Sequence, residues 1–327
     1  MIAALKGFLS VLMAVLNIFT FPVFGNFAGK FEPLDKESCR LNFATISDIH
    51  MTDDGIRPLM LGLGLKGMED ADYPIDALVC AGDLTDHGYF EEWENLTEAF
   101  SGYTPAKNII LAQGNHDTWT EDEGYNLARD YFISYNEKIT GRKTENEYYS
   151  TKINGYTFIV LASEYDHVDM YVSDAQLQWL EAEMEKAAAD NLPIFVVSHW
   201  PINESHGLPE TWGDEEPEID DGGMGNQSAA VEAIIKKHKN VILISGHIHS
   251  GFTNESQIDT YGYLSVESHG SFHSVNLPSF MYPTIRGRVS NGTGYHFEVS
   301  DDRVEIRARS YSADVWYTDY NYTIPLV

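Results

Sequence analysis

Cysteine is scarce. The 327-residue chain holds two, Cys39 and Cys80, too few for a disulfide framework. Cys80 sits in an apolar run three residues before Asp83, and Cys39 sits nine residues before Asp48. If both aspartates end neighbouring parallel strands, the thiols differ in depth by six residues, about 20 Å, which no disulfide spans. Both are expected to be reduced, with Cys80 buried. Positive charge is scarce as well: 21 Lys and Arg stand against 50 Asp and Glu, a formal net charge of −29. Such a surface disfavours nonspecific binding of nucleic-acid polymers or anionic membranes. It leaves room for a small anionic substrate, because bound metal ions invert the local potential. Internal repeats are absent. The apolar fraction of 43% suits a globular chain with a sizeable core.

One long apolar run exists, Gly7 to Phe24, interrupted only by Ser10, Asn17 and Thr20 among polar residues. Lys6 precedes it; Pro22 lies near its end, and Gly25, Ala28 and Gly29 follow. A positive charge, an apolar stretch and small residues read as a secretory signal over residues 1–30. The run is also about long enough to stay in a bilayer as an anchor. A core helix fits poorly, since the run is apolar all round. Either of the first two readings places the body of the protein outside the cytoplasm, secreted or in the cell envelope, with residues 7–24 as the membrane tether in the second. Six Asn-x-Ser/Thr sites, at Asn95, Asn203, Asn226, Asn254, Asn291 and Asn321, become glycosylation acceptors only on a eukaryotic secretory route.

After a linker over 31–40, strand-like and helix-like segments alternate. Strands are expected over Asn42–Ser47, Ala77–Ala81 and Asn108–Ala112, and helices over 56–69 and 89–100. That alternation marks a parallel α/β layer. A polar, aromatic helix is expected over 118–142. Glu147–Ile153 and Tyr156–Leu161 form a hairpin, because Asn154-Gly155 is a strong two-residue turn. Ser173 and Gln176 make a capping box for a helix running to about Ala189. The strand Ile194–Val197 follows, then a long polar segment over 202–226, a helix from Ser228 to His238 and the strand Val241–Ser245. From Gln257 on the pattern is mostly β, including Gly294–Val299, Arg303–Ser310 and Val315–Tyr317. No linker divides 41–327, so these segments belong to one two-sheet core.

Five polar clusters follow five of the apolar runs: Asp48-Ile49-His50, Gly82-Asp83, Gly114-Asn115-His116-Asp117, Ser198-His199 and Gly246-His247-Ile248-His249. Ligands of open α/β sheets collect beyond the carboxyl ends of the strands. Asp, His and Asn there have the chemistry of divalent-metal ligands. Asp83 is the candidate bridge between two ions, since Gly82 lets the backbone approach closely. Asp48 and His50 are two residues apart, as are His247 and His249. Each pair converges on one ion only if the chain leaves strand geometry there.

The order D-x-H, G-D-x-x-D-x-G, G-N-H-D, S-H and G-H-x-H over residues 48–249 resembles the calcineurin-like metallophosphoesterase superfamily. The resemblance implies a four-layer α/β/β/α sandwich of two mixed sheets flanked by helices. It implies a phosphoester hydrolase with a dinuclear centre and a bridging hydroxide. Asp48, His50, Asp83 and His249 would hold one metal; Asp83, Asn115, His199 and His247 would hold the other. The ions would be divalent or trivalent (Mn, Fe, Zn or Co, all suited to such ligands). His116 would contact the phosphate or protonate the leaving oxygen, and Asp117 would orient it or support the ligands. His87 stands where protein Ser/Thr phosphatases carry Arg, and Asp117 where they carry Glu, which argues against a phosphoprotein substrate. His50 stands where purple acid phosphatases carry Gly. Thr85, His87-Gly88 and Ser198-His199-Trp200-Pro201 are most similar to bacterial-type phosphodiesterases, including the cyclic-nucleotide branch. A small phosphodiester or nucleotide-like substrate is therefore preferred. The alternatives are a broad-specificity phosphomonoesterase and a noncatalytic envelope protein that binds metal or phosphate.

Asp86 either caps the following helix or supports the metal ligands. His87 is expected at the surface or substrate rim. His269 and His273 either line the substrate mouth or belong to a plain loop. The acidic run Glu215–Asp221 lacks EF-hand spacing and reads as a solvated loop. Trp119, Trp200 and Trp212 either pack or stack on a base or sugar.

Overall fold

The computed structural model describes residues 34–119, 124–165, 170–207, 223–281, 287 and 291–327. The expected signal or anchor over 1–30, Trp212 and the acidic run 215–221 lie outside the described residues. No helix among the described residues is long and apolar enough to cross a membrane.

The chain runs β1 (Leu41–Ile46), α1 (Ile56–Glu69), β2 (Ala77–Ala81), α2 (Phe90–Ser101), β3 (Ile109–Ala112), α3 (Tyr125–Thr140), β4 (Tyr149–Ile153), β5 (Tyr156–Val160), α4 (Asp174–Ala188), β6 (Ile194–Val197), α5 (Ser228–Ile235), β7 (Val241–Ser245), α6 (Ile258–Tyr261), β8 (Val266–Ser268), β9 (Phe272–Asn276), β10 (Thr293–Val299), β11 (Arg303–Ser310), β12 (Val315–Trp316) and β13 (Tyr322–Pro325). One sheet has the order β12-β11-β10-β1-β2-β3, with β13 also on β11; the other has the order β4-β5-β6-β7-β9-β8. Both are mixed. β1, β2 and β3 are parallel, as are β5, β6, β7 and β9, and antiparallel strands flank each run.

The α/β fold and its two-sheet core match the expectation. Alternation along the strands explains the layers. Phe43, Val79 and Ile110 of the first sheet face Phe158, Phe195 and Ile242 of the second. Leu78, Cys80 and Leu111 point the other way, onto Leu61 and Leu65 of α1, Trp93 and Leu96 of α2, and Phe132 of α3. On the far side, Ile159, Val196 and Leu243 meet Leu180 and Met184 of α4 and Val231 and Ile235 of α5. Four rings bolt the sheets together. Phe43 stacks on Phe297 at 4.6 Å and presents its edge to Phe158 at 5.2 Å and Phe195 at 4.9 Å. Such contacts add about 0.5–1.5 kcal/mol each beyond the area they bury.

Local chemistry sets the turns. Asn154 and Gly155 both have positive φ, 51° and 90°, as a type I′ hairpin requires. Ser173 Oγ accepts from the Gln176 backbone N–H at 3.2 Å, so the expected cap of α4 is present. The helix expected over 118–142 is shorter: a 3₁₀ turn spans His116–Thr118, and α3 starts at Tyr125 after Gly124, whose φ is 77°. The β-patterned tail divides between the sheets. β8 and β9 extend the second, whereas β10 to β13 complete the first. Cys39 and Cys80 are both free thiols, and burial pushes Cys39 up to about 11.

Candidate metal centre

The five clusters meet at one place. Asp48 and His50 leave β1, Asp83 leaves β2, and Asn115 leaves β3. His199 leaves β6, and His247 and His249 leave β7. Backbone hydrogen bonds tie the strand ends within each sheet, Asp48 N to Gly82 O at 3.1 Å in the first and Gly246 N to His199 O at 2.9 Å in the second. The His247 N–H crosses from one to the other, donating to Asp48 Oδ1 at 3.2 Å. Space is the constraint. A Cβ on Gly246 would lie 1.8 Å from Ser47 Oγ and 2.9 Å from Asp48 Oδ2.

The two-residue spacings do leave strand geometry. Asp48, His50, Asp83, His247 and His249 have φ values of 57°, 46°, 48°, 75° and 51°. Left-handed backbone at non-glycine residues costs on the order of 1–3 kcal/mol each and persists only where its surroundings enforce it. Here it turns both members of each His/Asp pair inward. Asp48, His50, Asp83 and His249 are all buried, and each offers a ligand atom within 4.8 Å of the others.

Backbone and carboxylate acceptors fix the imidazoles. His199 Nδ1–H donates to Ala81 O at 2.8 Å, and His50 Nδ1–H donates to Asp86 Oδ1 at 3.1 Å. Each ring therefore aims Nε2 at Asp83 Oδ2, at 3.2 Å for His199 and 3.4 Å for His50. His50 Nε2 also lies 3.1 Å from His249 Nε2, and His199 Nε2 lies 3.2 Å from His247 Nδ1. Nitrogens and oxygens about 2.1 Å from a common ion stand about 3–3.4 Å from one another. Asp48 Oδ2 and Asn115 Oδ1 are buried acceptors with no hydrogen-bond donor. Crowded nitrogens and undonated oxygens are costly for protein alone and suited to cations, so these residues fit a metal centre.

The electrostatics follow from burial and crowding. Burial alone would raise the Asp83 carboxyl, but His199, His116 and His50 hold it well below its ordinary value. Burial would depress His199, yet Asp83 and Asp48 raise it to about 9. His247, buried beside His199, falls to about 3. Asp117 is pushed up to about 6 by burial and by Asp83. Its carboxylate accepts from Thr85 N at 2.8 Å, Thr85 Oγ1 at 2.7 Å, Gly114 N at 2.8 Å and Leu84 N at 3.2 Å. Asp117 thus holds the loops after β2 and β3 together, while His116 is oriented by another group. His116 Nδ1–H donates to the Asp86 carbonyl at 2.7 Å, and its backbone N–H donates to Asp83 Oδ1 at 3.0 Å. The Asp86 side chain, one of two readings in the sequence, holds His50.

Residues 41–251 match the model of the calcineurin-like phosphoesterase family. The chain belongs to that family. A 3′,5′-cyclic-nucleotide phosphodiesterase from Nostoc sp. is 26% identical over 229 residues, 67% of this chain and 75% of that protein. A probable cyclic nucleotide phosphodiesterase from Rhodococcus erythropolis is 27% identical over 172 residues, 48% of this chain and 51% of that protein, so the chain spans about half of that relative. Among solved structures, a dimetal phosphatase from Danio rerio superposes with a TM-score of 0.57 at 12% identity, over 88% of this chain and 100% of that one. A purple acid phosphatase from yellow lupin gives 0.57 at 12% identity, over 87% of this chain and 53% of that one. Both structural likenesses concern the fold.

The remaining residues of this metallophosphoesterase sort by position. His87 lies at the rim, its Nδ1 3.5 Å from Asp86 Oδ2 and 3.5 Å from Glu92 Oε1. Trp119 is 48% exposed beside His116, whereas Trp200 is buried in the core behind His199. His269 and His273 require a correction to the substrate-mouth reading. β9 runs parallel to β7 with His273 level with Ile242 and Asn276 level with Ser245. His273 is therefore about 10 Å below the strand ends that carry the cluster, and His269 precedes it at the opposite end of the sheet. His269 stacks on Phe272 at 4.6 Å and closes the β8–β9 turn. Arg57 was not singled out from the sequence. It lies 2.9 Å from Asp86 Oδ1 and donates to the His50 carbonyl, bracing a left-handed residue. Its only signal was a lone base in the first turn of the helix after D-x-H.

Proposed function

We propose that this metallophosphoesterase hydrolyses small phosphodiesters of the nucleotide type. Asp48, His50, Asp83 and His249 would hold one ion, and Asp83, Asn115, His199 and His247 a second. Manganese, iron, zinc and cobalt all suit these donors. When bound, such ions would supply positive charge for the phosphoryl oxygens and a nucleophile at neutral pH. The chain supplies the rest. Asp83 Oδ2, between His50 and His199, ties the two halves of the centre together. Buried strand ends exclude bulk water from the cluster and strengthen every charge interaction there.

The observation that carries the reading is the setting of His116. It is half-buried at the edge of the cluster, its ring 4.5 Å from that of His50. With Nδ1–H held by the Asp86 carbonyl, Nε2 is the nitrogen left for substrate; in the doubly protonated ring Nε2–H would give its proton to the leaving oxygen and leave the neutral Nδ1–H tautomer behind. A protein that only stored metal would have no use for a protonatable group so placed. The diester preference is supported by the two cyclic-nucleotide phosphodiesterase relatives. The test is hydrolysis of bis-p-nitrophenyl phosphate against p-nitrophenyl phosphate with added manganese. Faster turnover of the diester is expected; turnover of the monoester alone would favour a phosphomonoesterase, and of neither a binding protein.

We also read 41–327 as a single domain, and the apolar run Gly7–Phe24 supports a secreted or envelope-tethered protein. Fractionation of expressing cells tests the second point, and recovery in the cytoplasm would refute it.

A further inference from the structure

We propose that Trp119, backed by His87 and Tyr89, is a stacking platform for the nucleobase of the substrate. The proposal rests on the nucleotide-ester reading above. A row of rings leads outward from the metal cluster. The His50 and His116 rings are 4.5 Å apart, His116 and Trp119 5.3 Å, Trp119 and His87 5.9 Å, and His87 and Tyr89 5.3 Å. The inner end is buried and the outer end open: Trp119 is 48% exposed and Tyr89 39%. The outer rings are held in place beforehand. Glu92 Oε2 accepts the backbone N–H groups of His87 at 2.8 Å and Tyr89 at 3.2 Å. His87 lies nearly parallel to Tyr89, at 10°.

The position defines the ligand. For His116 to protonate the leaving oxygen, the ester oxygen must sit at its Nε2, so the organic part of the substrate extends past His116. The next side chain outward is Trp119. In a chain of net charge −29, a neutral planar group is better held there by a π-face than by charge. Stacking accepts any base and fixes the plane without reading the sequence.

The test compares wild type with Trp119→Leu, Trp119→Phe and His87→Ala, manganese-loaded, on 3′,5′-cyclic AMP and on glycerophosphocholine, a diester with no ring. Trp119→Leu should lower the ratio of kcat/KM, cyclic AMP over glycerophosphocholine, by about tenfold through KM. Trp119→Phe should recover part of the loss, and His87→Ala should lose less. An unchanged ratio in Trp119→Leu overturns the platform. Should wild type cleave monoesters only, the diesterase reading fails by itself, and the same ratio taken with p-nitrophenyl phosphate and glycerol phosphate decides the platform. Independently of turnover, AMP should quench tryptophan fluorescence in wild type and not in Trp119→Leu; equal quenching in both, or none in wild type, overturns it.

Discussion

Replacing Gly82 by alanine should damage both stability and the metal centre, for reasons that can be counted separately. Gly82 has φ of 89°, and a Cβ there would lie 2.5 Å from His199 Cβ and 2.6 Å from its Cγ and Nδ1. The backbone contribution for an L-residue at positive φ is about 1–2 kcal/mol. Forcing an extra methyl into a filled site adds about 1–3 kcal/mol. The sum, about 2–5 kcal/mol, corresponds to a drop in Tm of about 3–7 °C for a chain of this size. The obstacle is the root of His199, not the tip of a flexible chain, so the imidazole has to move. Its Nδ1–H bond to Ala81 O and its approach to Asp83 are then lost together. A displacement of about 1 Å at a reacting centre costs on the order of a hundredfold in rate. Gly141→Ala is the control. Its φ is 70°, yet nothing lies within 4 Å of the new Cβ, so it should cost only the backbone contribution and leave metal content and turnover alone. Thermal melts, metal analysis and turnover of bis-p-nitrophenyl phosphate on the two variants decide the matter. If Gly82→Ala behaves like Gly141→Ala, close approach of the loops is not what assembles the centre.

Asp86→Ala removes the acceptor of His50 Nδ1 and a partner of Arg57, and should weaken manganese binding about 10- to 100-fold by calorimetric titration, with Arg57→Ala weaker in the same direction; unchanged affinity would refute the bracing role. His116→Ala should keep its metal and lose about 10²–10⁴ in kcat, so a normal turnover or an emptied centre would each count against its assignment. Stripping the metal with a chelator should lower Tm, since saturation at about 1,000 Kd is worth about 4 kcal/mol, and Asp83→Ala should abolish that difference. Far from the centre, burial with Arg309 and Arg307 nearby holds the His296 imidazole well below its ordinary value, 6.5. Below about pH 6.5 the unfolded chain gains a proton there that the folded chain refuses, so stability falls as the pH falls. His296→Phe should flatten that slope in urea unfolding at pH 7.5 and pH 5.5; an unaltered slope refutes it.

Much of the fold was legible because the strands are short apolar runs cut off by polar residues. Ala77–Ala81, Val241–Ser245 and Arg303–Ser310 lie where the pattern puts them, and α1 spans the expected 56–69. Pairing was less legible, since it depends on partners far along the chain. Nothing near β10 announces that it lies beside β1, some 250 residues earlier, with His296 level with Ala44. The same blindness left His269 and His273 between two readings. They follow the last motif closely in sequence, but β9 starts at the far end of the sheet. At the centre, the spacing Asp-x-His demanded a departure from strand geometry, and positive φ at Asp48, His50, His247 and His249 supplies it. Arg57 stayed hidden because its role rests on a contact with Asp86 that no local pattern encodes.

The interleaving of the sheets sets an order of assembly during synthesis. Among the described residues, the strands of the second sheet all lie between 149 and 276, so they are made while the ribosome is still reading the remainder. The first sheet has β1, β2 and β3 long before, but β1 keeps an open edge until β10 and its followers, residues 293–325, arrive. A long-lived strand edge invites wrong partners. Nascent chains halted just before β10 should therefore be the form most dependent on chaperones, and chains extended past β13 less so.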